Sequence, residues 1–284
     1  MKLFALDMDG TLLSSDGTIS EANHSMMKKA QSQGHMVVIA SGRSIHDTIQ
    51  ILKEAELNCP IIAGNGAIVF HEGNMLRNLY LSPERVEEII SLAQEIDVYF
   101  ELYTNQGVFI EECGRNFLIE EARNQREKDP HNFLWDRAER IIEGQFLQKG
   151  IQIIPSYLNL DYEKLEIYKV FVLSFHSDKL MKLEEILRDR HDLSITTSGK
   201  EKLEIGHPKT SKGNALKFLA NYLQIPLEHT ITFGDNLNDL SMFHVSGTSV
   251  AMGNAEDIVK KEADFVTKHH DENGVAFGMG RFLS

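Results

Sequence analysis

Cysteine, long apolar runs and positive charge are all scarce in this chain. Its 284 residues hold two cysteines, Cys59 and Cys113, far apart and outside any CxxC spacing. That argues against a disulfide framework or a structural zinc site, and both thiols are expected to be buried or idle. No apolar run approaches the about 20 residues that cross a bilayer, and the start lacks the charged-then-apolar pattern of a secretory signal. A cytoplasmic protein without membrane contact is therefore expected. Lys and Arg number 29 against 42 Asp and Glu, for a net charge of −13. This balance disfavours non-specific binding to nucleic acid or acidic membrane, both of which need basic surfaces. Any anionic substrate would need locally placed cations. The 12 histidines form no HxH or HExxH pattern, and His269-His270 is expected to be a surface pair. Hydrophobic content of 42% and charged content of 25% suit a globular protein, and the length allows one large domain or two smaller ones.

What is present begins at once. Leu3-Phe4-Ala5-Leu6 is a continuous apolar run of the kind buried on both faces of a parallel sheet, and it delivers Asp7-Met8-Asp9-Gly10-Thr11-Leu12 at its end. Ser20 can cap a helix over Ala22, Met26, Met27 and Ala30 that Gly34 ends. Met36 to Ala40 is a second buried run, ending in Ser41-Gly42-Arg43; Ile45, Ile49 and Leu52 follow at helical spacing; Pro60 to Ala63 then leads into Gly64-Asn65-Gly66. This alternation is a doubly wound α/β pattern, whose right-handed crossovers bring the strand ends to one edge. In such sheets ligands bind outside the carboxyl ends of the strands.

The texture changes near Ser82-Pro83, a helix start whose apolar face comprises Val86, Ile89, Ile90, Ala93 and Ile96. Tyr99 to Tyr103, Val108 to Ile110, Ile151 to Ile154 and Lys169 to Phe175 mix charged with apolar residues, as half-exposed strands do, and Ser198-Gly199-Lys200 is a hairpin turn candidate. An inserted sheet with helices on one face is expected. The doubly wound pattern resumes where Ser211 can cap a helix carrying Lys212, Leu216 and Leu219. Thr230 to Phe233 then ends in Gly234-Asp235-Asn236-Leu237-Asn238-Asp239, and Thr248 to Met252 and Asp264 to Thr267 follow as strands.

Each polar strand end has an ordinary explanation as an acidic turn, a helix cap or a solvated lysine. Together Asp7, Asp9, Ser41, Lys212 and Asp235 form the parts of metal-assisted phosphoryl transfer: a carboxylate nucleophile, a second carboxylate for proton transfer, a hard-cation site and donors for phosphate oxygens. Gly64-Asn65-Gly66 reads either as a hairpin signal or as a substrate contact, and Arg43 either pairs with a substrate anion or faces solvent.

In order and spacing, Asp7 to Leu12, Ser41-Gly42-Arg43, Lys212-Gly213 and Gly234 to Asp239 resemble the four motifs of the haloacid dehalogenase superfamily, and within it the Cof-type hydrolases of subclass IIB. The resemblance covers essentially the whole chain. It implies a Rossmann-like core of residues 1–81 and 206–284 and an inserted α+β cap, type C2B, of residues 82–205. It implies that Asp7 attacks phosphorus to form an aspartyl-phosphate, while Asp9 protonates the leaving alcohol and then activates water. Mg2+ would be held by Asp7, the Asp9 carbonyl and Asp235, and the Met8 amide, Ser41, Gly42, Lys212 and Asn238 would hold phosphate. Asp239 would orient Lys212 or a metal-bound water, Thr11 would support the turn, and Asn65 would face the cleft. Hydrolytic dehalogenases of the superfamily lack the second aspartate, so Asp9 points to the phosphatase branch. The expected function is hydrolysis of a small phosphorylated metabolite such as a sugar phosphate, nucleotide or pyridoxal phosphate. A phosphomutase or phosphotransferase using the same intermediate, and a non-catalytic phosphosugar-sensing module, are the alternatives. Tyr103, Arg115, Arg123 and Glu204 are cap candidates for substrate contact.

Overall fold

The structure, a computed structural model, describes residues 1–283. In chain order the first part contains Leu3–Leu6 (β1), Glu21–Ser32 (α1), Met36–Ala40 (β2), Ile45–Glu54 (α2), Ile61–Ala63 (β3), Ile68–His71 (β4) and Asn74–Asn78 (β5). The middle part contains Pro83–Ile96 (α3), Tyr99–Thr104 (β6), Gly107–Glu111 (β7), Gly114–Lys128 (α4), Trp135–Phe146 (α5), Ile151–Ile154 (β8), Ile167–Leu173 (β9), Ser177–Leu187 (α6), Ser194–Thr196 (β10) and Lys202–Gly206 (β11). Lys212–Tyr222 (α7), Thr230–Gly234 (β12), Leu240–Phe243 (α8), Thr248–Ala251 (β13), Asp257–Glu262 (α9), Phe265–Val266 (β14) and Gly274–Gly280 (α10) complete it.

Two compact units result: Met1–Asn78 with residues 209 onward, and Leu79–Pro208. Each division lies three residues outside the expected 82–205 insert. The reason is local, because the Leu81 N–H donates to the Ile167 carbonyl at 2.8 Å and Gly206 is still paired with Lys169 in the middle unit's sheet.

The first unit is built on an eight-stranded sheet in the order β14-β13-β12-β1-β2-β3-β4-β5, parallel from β14 to β3. The register sets Leu6 beside Phe233 on one side and Ile39 on the other, so β1 is central and the chain reverses winding there. Leu3 to Leu6, Val37 to Ala40 and Phe233 are fully buried, as continuous apolar runs in a doubly covered parallel sheet must be. The Ser20, Ser44 and Ser211 hydroxyls each accept the backbone N–H three residues on, starting α1, α2 and α7 where a serine precedes the apolar face. The antiparallel β4 and β5 were absent from the sequence-based expectation. Gly64-Asn65-Gly66 is a tight turn joining β3 to antiparallel β4, the hairpin side of its two readings.

The second unit has a six-stranded sheet, β10-β11-β9-β6-β7-β8, antiparallel except for the β7–β8 pair. Val86, Ile89 and Ala93 of α3 and Leu183 and Leu187 of α6 form its core with Phe100, Leu102, Val170, Val172, Leu203 and Ile205. One expectation fails here. β6 and β9 were expected to be half exposed, yet every residue of both is buried, including Glu101 and Lys169. Their charges are met by partners. Lys169 Nζ lies 2.6 Å from Glu204 and over the Tyr103 ring, while Glu101 accepts from the Tyr99 hydroxyl and from Gln148. Cys59 is buried, but Cys113 is exposed, and both thiols are free.

Candidate active site

Asp7 directly follows β1, and the chain then makes one wide turn closed by the Leu12 N–H donating to the Asp7 carbonyl and the Leu13 N–H to the Met8 carbonyl. Gly10 carries the turn at φ +74°, and a side chain there would strike the Asp235 carboxylate. Asn23 of α1 donates to the Leu12 carbonyl and Asn254 to the Gly10 carbonyl, clamping the turn from both ends. Neither asparagine was singled out in the sequence, which carries no signal for such a long-range brace.

Lys212, the first residue of α7, is fully buried and donates to Asp7 Oδ1 at 2.5 Å and Asp239 Oδ1 at 2.6 Å. Asp239 Oδ2 accepts the backbone N–H groups of Asp235 and Asn236, so this carboxylate is spent on shaping the loop after β12 and holding the lysine. Thr11 does more than support its own turn: its hydroxyl donates to Asp235 Oδ1 at 2.8 Å. Asp7, Asp235 and Asp239 each present an oxygen within 4.8 Å of the others. Burial and then the Asp239 charge push the Asp7 carboxyl well above its ordinary value, against the pull of Lys212. Burial and Asp239 likewise push Asp235 up to about 7. Lys212 is held charged by Asp239 and Asp7 although burial opposes it.

The remaining sequence candidates gather at the same edge. Ser41, at the end of β2, is fully buried, its Oγ accepts the Arg43 N–H, and Gly42 lies between them. Asn65, in the left-handed region at φ +57°, donates its N–H to the Ser41 carbonyl and accepts from Asn238 Nδ2 at 3.1 Å. Asn238 Oδ1 is buried with no hydrogen-bond partner among the described residues. Arg43 is partly exposed and fully engaged in ion pairs: its Nε and Nη2 donate to both oxygens of Asp9, and its Nη1 donates to the buried Asp47. Asp47, four residues beyond Arg43 at the start of α2, was missed, although its i, i+4 spacing is a legible pairing signal.

The other candidates lie in the second unit or on the loop before α10. Tyr103 and Glu204 belong to the buried polar network of the second unit, and Arg115 and Arg123 are exposed there, Arg115 paired with Glu143. His269 and His270 lie at the surface, the first about half exposed and the second mostly covered, and with Asp271 they present three donor atoms within 4.8 Å. Asp271 accepts from the Ser15 N–H and hydroxyl and the His270 ring bonds the Leu13 carbonyl, so the cluster pins residues 13–15.

A cation fits the Asp7–Asp235 pair. Two buried carboxylates and a half-buried one face one ammonium within 4.8 Å of one another, and Asp7 and Asp235 are pushed toward the neutral form. A hard divalent ion taking oxygen ligands relieves this imbalance.

Residues 4–279 match the model of the haloacid dehalogenase-like hydrolases. The chain belongs to that family. Over their full lengths it is 35% identical to phosphatase YwpJ of Bacillus subtilis (100% of each chain). It is also 35% identical to 5-amino-6-(5-phospho-D-ribitylamino)uracil phosphatase YwtE of the same organism, over 100% of this chain and 99% of the other. The solved structure of a haloacid dehalogenase-like hydrolase from B. subtilis superposes with a TM-score of 0.87 at 34% identity, covering 99% of both chains. The chain is a Cof-type phosphatase of this family, as the four motifs imply. No helix of the described residues is long and apolar enough to cross a membrane.

Proposed function

We propose that the chain is a Mg2+-dependent phosphomonoesterase acting on a small phosphorylated metabolite through an aspartyl-phosphate on Asp7. The observation that carries this reading is the buried Asp7–Lys212–Asp239 chain of ion pairs with Asp235 alongside, at the carboxyl end of the central strand. Lys212 engages one oxygen of Asp7 and fixes its direction, so the other is the attacking atom. Asp7 Oδ2 forms the bond to phosphorus while the ester oxygen departs with its electron pair. Asp9 gives that oxygen its proton, then takes one from the water that attacks phosphorus and frees Asp7. Ser41, the Met8 and Gly42 amides, Lys212 and Asn238 meet the charge on the three equatorial oxygens. The unpartnered Asn238 Oδ1 beside Asn65 supports a polar contact from this pair to the bound molecule.

Asp7, Asp235 and the Asp9 carbonyl would hold Mg2+. The ion supplies the positive charge that lets a carboxylate approach a phosphoryl group. Residues 79–208 are the cap in this reading and specificity resides there; of its sequence candidates the exposed Arg115 and Arg123 are available for substrate contact, whereas Tyr103 and Glu204 are spent on the unit's own buried network. The ribitylamino-uracil phosphatase activity of the YwtE relative directs the substrate search to acyclic and cyclic sugar phosphates. The test is phosphate release by purified protein with Mg2+ from a panel including that compound, hexose phosphates, nucleotides and pyridoxal phosphate. Turnover of at least one ester that Asp7→Asn abolishes is expected; no release from any of them, or full activity of Asp7→Asn, would overturn the reading.

A further inference from the structure

Arg43 carries a role beyond the substrate contact that its sequence position suggests. Arg43 is held at three points before its side chain reaches Asp9, two on the backbone and one on the guanidinium. The backbone is held by the Arg43 N–H donating to Ser41 Oγ at 3.1 Å and by the Arg43 carbonyl accepting the Gly64 N–H at 3.0 Å. Nη1 donates at 2.6 Å to Asp47, which is 2% exposed and sits in the first turn of α2 with its N–H on the Ser44 hydroxyl. The edge that remains, Nε and Nη2, meets the two oxygens of Asp9 at 2.8 and 2.7 Å. A planar fork locked at one end dictates the plane of the carboxylate at the other. The Asp9 side chain is 60% exposed and stands on the turn that Gly10 carries at φ +74°.

We propose that Arg43 is a positioning residue for Asp9, with Asp47 as its anchor: the guanidinium holds the acid/base carboxylate in one orientation on the edge of α2. Each Asp9 oxygen accepts one N–H of the fork, which sets the plane in which the carboxylate meets leaving group or water. Because the Nε/Nη2 edge is occupied by Asp9, a bidentate hold on substrate through that edge would require this pair to break. The inference rests on the phosphomonoesterase reading and on Asp9 as its acid/base.

The test compares two esters with the full chain and Mg2+: p-nitrophenyl phosphate, whose leaving group needs no proton, and glycerol 2-phosphate, whose leaving alkoxide does. Arg43→Gln is expected to lower kcat for the alkyl ester about ten- to a hundredfold, the usual size of a general acid–base contribution or somewhat less. KM should stay within about threefold, as should the first-turnover burst of p-nitrophenolate. In an Asp9→Asn background the same substitution should cost less than about twofold in single-turnover cleavage of the alkyl ester, because its route of action is already gone. Arg43→Lys, which keeps the charge but not the fork, should show the same pattern more weakly and stands in if the glutamine variant folds poorly. A raised KM for both esters with kcat intact, or full additivity with Asp9→Asn, would overturn the proposal and make Arg43 a substrate ligand. Wild-type alkyl-ester turnover by Asp9→Asn would instead refute the role of Asp9, whatever Arg43 does.

Discussion

Lys212 is the residue on which the buried charges of the site depend. With no exposed atom on its side chain it stands between Asp7 and Asp239, so Lys212→Met would leave two buried carboxylates without their cation. Breaking a buried pair from one side typically costs about 3–5 kcal/mol, and a loss of that size in denaturant unfolding, together with loss of phosphatase turnover, is expected. Glu101 offers a pH-dependent counterpart in the other unit. Burial pushes its carboxyl up to about 7 from an ordinary 4.5, against the hydrogen bonds from Gln148 and Tyr99. A carboxyl raised on folding stabilises the folded state fully below its unfolded value and loses that contribution as pH rises through the folded one. Wild type should therefore lose up to about 3 kcal/mol relative to Glu101→Gln between pH 4.5 and 7. Thermal melts of both proteins across pH 4 to 8 check this; parallel curves would contradict it. At this scale the sequence was informative wherever a residue type implies chemistry at a strand end, as for Asp7, Lys212 and Asp235. It assigned Thr11 only its own turn and not the Asp235 carboxylate 224 positions away, and it was silent on Asn23 and Asn254, the second of which reaches 244 positions back to the Gly10 carbonyl.

Among the elements, the turn after β1 shows how backbone geometry serves the site. Gly10 occupies a left-handed position with the Asp235 carboxylate against its missing side chain. Gly10→Ala is expected to impair Mg2+-dependent turnover by tenfold or more through displacement of Asp235, and a variant with normal activity would refute that close approach. The N-cap of α7 is a separable case. Ser211→Ala removes the hydroxyl that accepts the Asn214 N–H and should cost about 1 kcal/mol in unfolding experiments. Buried parallel strands and serine-capped helices were legible because their patterns are local. β4 and β5 were not, since β5 has exposed ends and a mixed composition that read as loop. The burial of Glu101 and Lys169 was equally hidden, because a charge in a strand signals exposure unless its partner, here on β11 or beyond α5, is already known.

For the molecule as a whole, the net charge of −13 is answered at the site by placement, with Lys212 and Arg43 set where carboxylates converge. The second unit is contiguous in sequence and has its own apolar core. Family and doubly wound architecture were readable from four short motifs, whereas the boundaries of the insert slipped by three residues because strand pairing extends past the composition change. Mg2+ should raise the melting temperature of wild type in a concentration-dependent way, reaching about 2.7 kcal/mol at a hundred times its Kd, and should do so far less in Asp235→Asn. The central claim is that Asp7 carries the phosphoryl group. Acid quench of Asp9→Asn during turnover of p-nitrophenyl phosphate with Mg2+, followed by peptide mass spectrometry, tests it most directly. A phosphoryl adduct on the peptide containing Asp7 is predicted, whereas no adduct there, with turnover persisting in Asp7→Asn, would contradict the account.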